Sequence, residues 1–312
     1  MKELKETSLF SQNTHYRFLY IGTTASGKTC MLAQMAEGAG SNSRFNASLL
    51  ACDSLNDMER EQALQDRREG KNTKLRSSLE LEEGVENLKN AKERLKVGKR
   101  PLPTSDQTES ALLNFLMGDA DENGRGSFCV QTEDYPGERI NSANLSQSES
   151  KTSELMDRLK TYDGIIVVVE TLNENSSASR VLAIQNQIRT LADFFTNAVN
   201  QKVLEKGSIP VALILSKWDK ASKIDFSNPA SEREKLEVYL KKYPQYYDIL
   251  SPLKSEALSQ DLTERGETFS GIIEGNTAVF PVSAFGEATL DALGENAPTL
   301  GQKGFGLVEP FC

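Results

Sequence analysis

The sequence predicts an α/β protein of three layers, with a mostly parallel central sheet flanked by helices and two helical insertions. Three observations predict it. Gly22-Thr23-Thr24-Ala25-Ser26-Gly27-Lys28-Thr29 reads GxxxxGKT and stands between an apolar run and a helical pattern. Two further runs, 164–170 and 209–215, are continuous and β-branched, as strands buried on both faces of a parallel sheet require. Between them, Val181, Ile184, Ile188, Leu191, Phe195, Ala198 and Val199 recur at helical spacing, so a helix follows a strand and precedes the next.

The glycine stretch fixes the first strand, loop and helix. Residues 16–21 are aromatic and aliphatic enough for a strand, and 30–36 hold helix formers without a breaker. The glycines permit a tight turn and let backbone N–H groups face phosphates. Lys28 can reach the outer phosphates, and Thr29 can ligate Mg2+ at the helix start. His15, the one histidine, lacks a nearby Cys, Asp or Ser partner and reads as structural or surface.

Residues 47–52 suggest a short strand or buried segment. From about 54 to 100 the chain is charged and helical, with Leu81, Val85, Leu88, Ala91 and Leu95 on one helix face. This stripe is too short for a coiled coil, so packing within the chain is expected. Pro101 and Pro103 end that helix and leave 102–108 extended, with Thr104 and Thr108 exposed to a ligand. Residues 112–117 and 127–132 then read as two strands about a turn. The second runs into Asp134-Tyr135-Pro136-Gly137, a DxxG followed by Glu138.

The strand at 209–215 ends in Ser216-Lys217-Trp218-Asp219. The pattern resembles the guanine-reading NKxD box with Ser in place of Asn, and the resemblance implies that Asp219 accepts from guanine N1–H and the exocyclic amine, so that a wrong base would leave the carboxylate unpaired. The stem of Lys217 can cover the base. A second insertion at about 221–275 carries Tyr243, Tyr246 and Tyr247, read as packing residues. The last strand, 277–282, ends in Ser283-Ala284-Phe285-Gly286.

The chain of 312 residues carries a net charge of -9, which excludes nucleic-acid binding by general electrostatics. Cys30, Cys52, Cys129 and Cys312 show no CxxC pair or metal spacing and read as reduced thiols of a cytoplasmic protein. No apolar run approaches the roughly 20 residues of a membrane span. The first residues, with Glu3 and Glu6, lack the apolar stretch of a secretory leader.

Five boxes in order, GTTASGKT, the Thr loop, DYPG, SKWD and SAFG, resemble the Ras-like, translation-factor-related class of P-loop GTPases over about 16–286. The insertions and the late Gly-Leu-Val-Glu-Pro-Phe segment are similar to bacterial double-GTPase-type proteins. The resemblance implies a single GTPase domain over 1–312 that binds GTP and GDP with Mg2+ and switches on hydrolysis. By carry-over, Gly22, Ala25, Ser26, Gly27, Lys28, Thr29, Cys30 and Gly137 hold the phosphates, and Thr29, Thr104 and Asp134 organise the metal. Lys28 and Thr104 are the catalytic candidates, and Lys217, Asp219, Ser283 and Ala284 read guanine. A scaffold that binds GTP with little hydrolysis is the alternative.

Two departures stand out. Glu138 occupies the place where Ras-like proteins commonly carry a water-orienting glutamine, and a carboxylate would repel the γ-phosphate, so slow hydrolysis without a partner is expected. Ser216 replaces the asparagine whose amide usually braces the phosphate loop. In addition, residues 287–312 contain too many Gly and Pro for the usual closing helix. Either the insertions or a protein partner should cover that sheet face, and a partner could also act through the switch regions.

Overall fold

A computed structural model describes residues 14–22, 26–36, 45–49, 54–71, 73–97, 99, 101, 109–117, 126–134, 155–156, 158–225, 228–255, 270–284, 307 and 310. Its strands are β1 (Thr14–Gly22), β2 (Phe45–Leu49), β3 (Glu109–Met117), β4 (Gly126–Asp134), β5 (Gly164–Glu170), β6 (Val211–Ser216), β7 (Ile272–Glu274) and β8 (Thr277–Val282). They form one sheet in the order β2-β3-β4-β1-β5-β6-β8-β7. The central β4, β1, β5, β6 and β8 are parallel, while β3 and β7 run against their neighbours. β3 and β4 make the antiparallel pair expected from the sequence, in register from Glu109 opposite Asp134 to Met117 opposite Gly126.

Every residue of β5 and β6 is buried, which is why both read as unbroken apolar runs. Side chains alternate across the sheet. On one face Leu19, Ile21, Ile165, Val167 and Val169 share a core with Ile184, Ile188, Leu191 and Phe195 of α4 (Ala178–Asn200). On the other, Tyr20, Ile166, Val168, Ile214 and Phe280 share a core with Met31 and Met35 of α1 (Lys28–Ala36). Helices therefore cover both faces, giving the three layers.

The first insertion contains α2 (Asp57–Arg68) and α3 (Lys74–Lys96). A reciprocal pair of hydrogen bonds between Asn56 and Glu59 starts α2, and Thr73 Oγ1 accepts from Arg76 N to start α3. Between them the chain turns at Gly70, whose φ of +70° suits glycine. α3 lies against α1 and β3. Its Leu88, Ala91 and Leu95 enter the α1-side core, whereas Leu81 is only half-buried. Leu307 is fully buried in the same core. Of the two covers expected for the face that lacks a closing helix, the described residues show the first: α3, from the early helical segment, and Leu307 pack there. Ile166, Val168, Ile214 and Val282 on that face are all buried within the chain.

After β6 come α5 (Pro229–Lys242) and the four-residue α6 (Tyr247–Leu250). Leu236, Tyr239, Leu240, Tyr246, Ile249 and Leu250 extend the α4-side core. Among the described residues no helix is long and apolar enough to cross a membrane.

Candidate nucleotide-binding site

The parallel strands β1, β4, β5, β6 and β8 end on one edge of the sheet, where open α/β folds place their ligands. At that edge β1 finishes at Gly22, buried against β5. A Cβ at Gly22 would lie 2.4 Å from Val168 O, a backbone atom that cannot step aside, so glycine is required by close approach. Gly27 has φ +95° and turns the chain into α1, whose first described bond runs from Met31 N to Gly27 O at 3.0 Å. No acidic residue occupies the first turn of α1, so the helix presents its positive end without local compensation.

Lys28 is 6 % exposed, and its Nζ donates to Gly22 O at 3.1 Å, linking the start of α1 to the end of β1. Thr29 and Cys30 are half-buried beside it. Ser26 is buried, with its Oγ lacking a hydrogen-bond partner. Ala25 lies outside the described residues, as do Thr104, Gly137 and Glu138. A buried ammonium, a helix N-terminus and glycines that allow close backbone approach form a site suited to a polyanion.

β4 brings Asp134 to the same edge, in register with Tyr20 of β1, two residues before Gly22. The preceding residue, Glu133, is 1 % exposed and accepts from Arg17 Nη2 at 2.6 Å, Arg158 Nη2 at 2.7 Å and the Tyr162 hydroxyl. Arg158 also reaches Glu80 of α3 at 3.3 Å, and Glu80 accepts from Arg76 Nε at 2.9 Å. Burial, then the Glu133 charge, pushes the Tyr162 hydroxyl well above its ordinary pKa, so it stays a donor. This ionic chain fixes the end of β4 against β1 and ties it to the first insertion. Sequence reasoning missed it because its members are spread from 17 to 162.

β6 carries the rest. Ser216 is buried, and its Oγ donates to Ser26 O at 2.6 Å. The amide that an asparagine would supply is absent, as the sequence showed, but β6 comes close enough for the short hydroxyl of Ser216 to bond Ser26 O. Lys217 adopts the left-handed conformation, φ 59° and ψ 39°, uncommon for a side chain with a Cβ. Its carbonyl accepts from Thr171 Oγ1 at 3.0 Å, and its Nζ donates to Glu170 Oε2 at 2.6 Å. That twist swings the next residues into a short 3-10 turn, Trp218–Lys220. Trp218 turns inward, 1 % exposed, and its Nε1 donates to the fully buried Glu232 Oε2 at 2.7 Å.

Asp219 is left at the edge, hydrogen-bonded through Oδ1 to Ser283 Oγ at the end of β8. Burial raises its pKa above the usual aspartate value, against smaller lowering by Ser283, its own backbone N–H and the nearby Lys220 and Lys217. Ser283 is buried and Ala284 half-buried. Lys217, Asp219, Ser283 and Ala284 thus gather at one end of β6 and β8, joined through Ser216 to Ser26 and Lys28.

Sequence reasoning also passed over the residues behind Lys217. Tyr239 and Tyr246 are buried and hydrogen-bond the segment that follows β5. Leu172 N donates to Tyr239 Oη at 2.7 Å and to Tyr246 Oη at 3.0 Å, and Tyr246 Oη donates to Glu170 O at 2.8 Å. Tyr246 packs, as expected, and both tyrosines also hold the backbone beside the site. The signal in the sequence was a lone glutamate closing the β5 run.

Strand, glycine loop with GKT and helix in this arrangement make the P-loop supersecondary unit. The mostly parallel sheet with helices on both faces is the architecture such a unit requires. No protein-family model and no curated protein matches the chain. Distant likeness is found among solved structures. The S. cerevisiae Ski7 GTPase-like domain, bound to GDP and inorganic phosphate, is 13 % identical with a TM-score of 0.40, over 95 % of this chain and 50 % of that one. The chain thus spans about half the length of that protein's structure. A signal recognition particle receptor SRb-GTP/SRX complex from Chaetomium thermophilum is 14 % identical, TM-score 0.38, over 91 % and 95 % of the two chains. A septin GTPase domain from Chlamydomonas reinhardtii is 13 % identical, TM-score 0.35, over 87 % and 75 %.

Proposed function

We propose that the chain binds GTP and GDP with Mg2+, hydrolyses GTP to GDP and phosphate, and acts as a nucleotide-dependent switch in the cytoplasm. The observation that carries this reading is the hydrogen bond between Ser216 Oγ and Ser26 O. It joins the phosphate loop directly to the turn that presents Asp219 beside Ser283. In this reading one end of the sheet offers both a cationic phosphate cradle and a half-buried carboxylate able to accept from the guanine edge.

In this reading Lys28 and the N–H groups of residues 22–30 bind the phosphates, with Gly137 sensing the outermost one. Thr29, Thr104 and Asp134 would hold Mg2+, which supplies charge neutralisation between the phosphates when bound. Lys217 covers the base, Asp219 takes its N1–H and amine protons, and the turn at Ser283 and Ala284 offers an N–H to O6. Chemistry needs little beyond positioning and electrostatics around an in-line water. Glu138 cannot donate to a phosphoryl oxygen, so hydrolysis is slow until a partner protein contributes an arginine or reorders the switch segments. The same residue favours the second reading, a GTP-binding scaffold without turnover.

Calorimetric titration of nucleotide-free protein with GTP, GDP and ATP in Mg2+, followed by a phosphate-release assay, tests both. Guanine selectivity with multiple turnovers supports the switch, selectivity without turnover supports the scaffold, and preference for ATP overturns both. Lys28→Ala should abolish triphosphate binding.

A further inference from the structure

The ammonium of Lys217 is not left to settle on a ligand: it is already held by the carboxylate that ends β5. Glu170 is 5 % exposed and receives both Lys217 Nζ, at 2.6 Å, and Arg180 Nη2 from the first turn of α4. The other end of Lys217 is fixed as firmly. Its carbonyl accepts from Thr171 Oγ1 at 3.0 Å and from Lys220 N at 3.0 Å, and Thr171 N donates to Ser216 O at 3.0 Å. A four-carbon stem tethered at both ends has lost most of its rotamer freedom before any ligand arrives. The left-handed backbone of Lys217 sets the direction in which that stem leaves the chain.

Glu170 is in turn held from outside the nucleotide-binding core. Tyr246 Oη donates to Glu170 O at 2.8 Å, and Tyr239 Oη donates to Leu172 O at 2.9 Å. Both tyrosines come from the second insertion and pack together with Trp218, whose ring meets that of Tyr239 at 5.1 Å between centroids. The insertion therefore grips the base-site turn at two points, through Trp218 and through the Glu170–Leu172 backbone.

We propose that Glu170 is a positioning residue for base recognition, holding Lys217 as a preformed platform for the purine face, and that the Tyr239–Tyr246 pair sets guanine-nucleotide affinity through it. The inference rests on the reading of Lys217 and Asp219 as the base site. It assigns to the second insertion a part in nucleotide affinity, beyond its part in the core. Glu170 touches no ligand; it acts through the lysine.

The test is a double-mutant cycle by calorimetry with GDP, using wild type, Glu170→Gln, Lys217→Met and the double variant, with melting temperatures measured in parallel. Glutamine keeps the shape and an acceptor oxygen but surrenders the charge. Glu170→Gln should weaken GDP binding by about tenfold, through the entropy of a released lysine stem. The double variant should bind no more weakly than Lys217→Met, because the glutamate has nothing left to position. A purely structural role would lower the melting temperature and give losses that multiply, and that outcome overturns the proposal, as does a Glu170→Gln protein that binds GDP like wild type. If Glu170→Gln does not fold, Tyr246→Phe removes only the hydroxyl that secures Glu170 O. It should weaken GDP about two- to threefold in the Lys217 background and not at all in Lys217→Met, and equal effects in the two backgrounds overturn the proposal. Failure of wild type itself to bind GDP would instead remove the base-site reading, so the two failures are distinct.

Discussion

Replacing Ser216 by alanine deletes one oxygen from the middle of the site and leaves the backbone bond from Thr171 N to Ser216 O in place. What is lost is the 2.6 Å bond to Ser26 O, with a longer 3.3 Å contact to Val169 O, within a region where Ser26 and Ser216 are both about 2 % exposed. A net hydrogen bond is worth about 1 kcal/mol, and an acceptor left buried without a partner costs about 1–3 kcal/mol. A methyl group in place of the hydroxyl admits no water, so the larger figure is the relevant one, and about 2 kcal/mol is expected. In a chain of this size that lowers the melting temperature by about 3 °C, at roughly 1.5 °C per kcal/mol. The loop carbonyl is also the link between phosphate cradle and base turn. Part of the cost therefore falls on nucleotide binding: about tenfold weaker affinity for both GDP and GTP, equivalent to about 1.4 kcal/mol. Scanning fluorimetry with and without GDP, together with calorimetric titration, reads both quantities. A Ser216→Ala protein with unchanged melting temperature and unchanged affinity would refute the brace.

Asp219→Asn exchanges an acceptor for an amide and should move preference from GTP toward XTP, read by competition with a fluorescent guanine nucleotide. Because burial raises the folded-state pKa of Asp219, the folded protein takes up its proton at a higher pH than the unfolded chain does. As pH rises from the unfolded value through the raised folded one, stability from this group falls, while guanine binding, which needs the carboxylate, improves. Guanine affinity should accordingly drop on acidification above the ordinary aspartate range, and Asp219→Asn should lack that step. Gly22→Ala sets a methyl 2.4 Å from Val168 O, so either β1 or the loop must move; a loss of more than about 2 kcal/mol in urea denaturation, with nucleotide binding abolished, is expected. Glu133→Ala leaves Arg158, whose side chain is only 11 % exposed, with the longer contact to Glu80 and takes the acceptor from the Tyr162 hydroxyl, so it should cost about 2–3 kcal/mol in the same assay; a cost below about 1 kcal/mol would show that the network is incidental.

β5 and β6 were legible because strands covered on both faces have no choice but continuous apolar residues, and α4 because its one buried stripe recurs at helical spacing. β7 was not. Three residues give no period, and Ile272–Glu274 exists only because Gly275, at φ +63°, folds it back on β8. The site divides in the same way. Gly22 and Gly27 announce themselves through backbone demands that glycine meets, and Lys28 through its fixed spacing after them. Ser216 misled because its sequence identity says what the side chain lacks, whereas its effect depends on how near the loop lies, a tertiary distance. Glu170 and Lys217 are 47 residues apart, and nothing local in either one names the other.

The two insertions also change what counts as the nucleotide-binding core. Leu88 and Leu95 of α3 are 4 % and 0 % exposed, and burying two leucines is worth roughly 3–6 kcal/mol. That is a large share of the 5–15 kcal/mol by which a domain is typically stable. α3 therefore belongs to the fold as much as α1 does, and its Glu80 extends through Arg158 to Glu133, one residue short of Asp134. The second insertion reaches the opposite half of the site through Tyr246 and Glu170. The end of β4 is thus held through α3 and the turn after β6 through Tyr239 and Tyr246, so on the proposed reading a ligand or partner that shifts either segment has a bonded route to one half of the site.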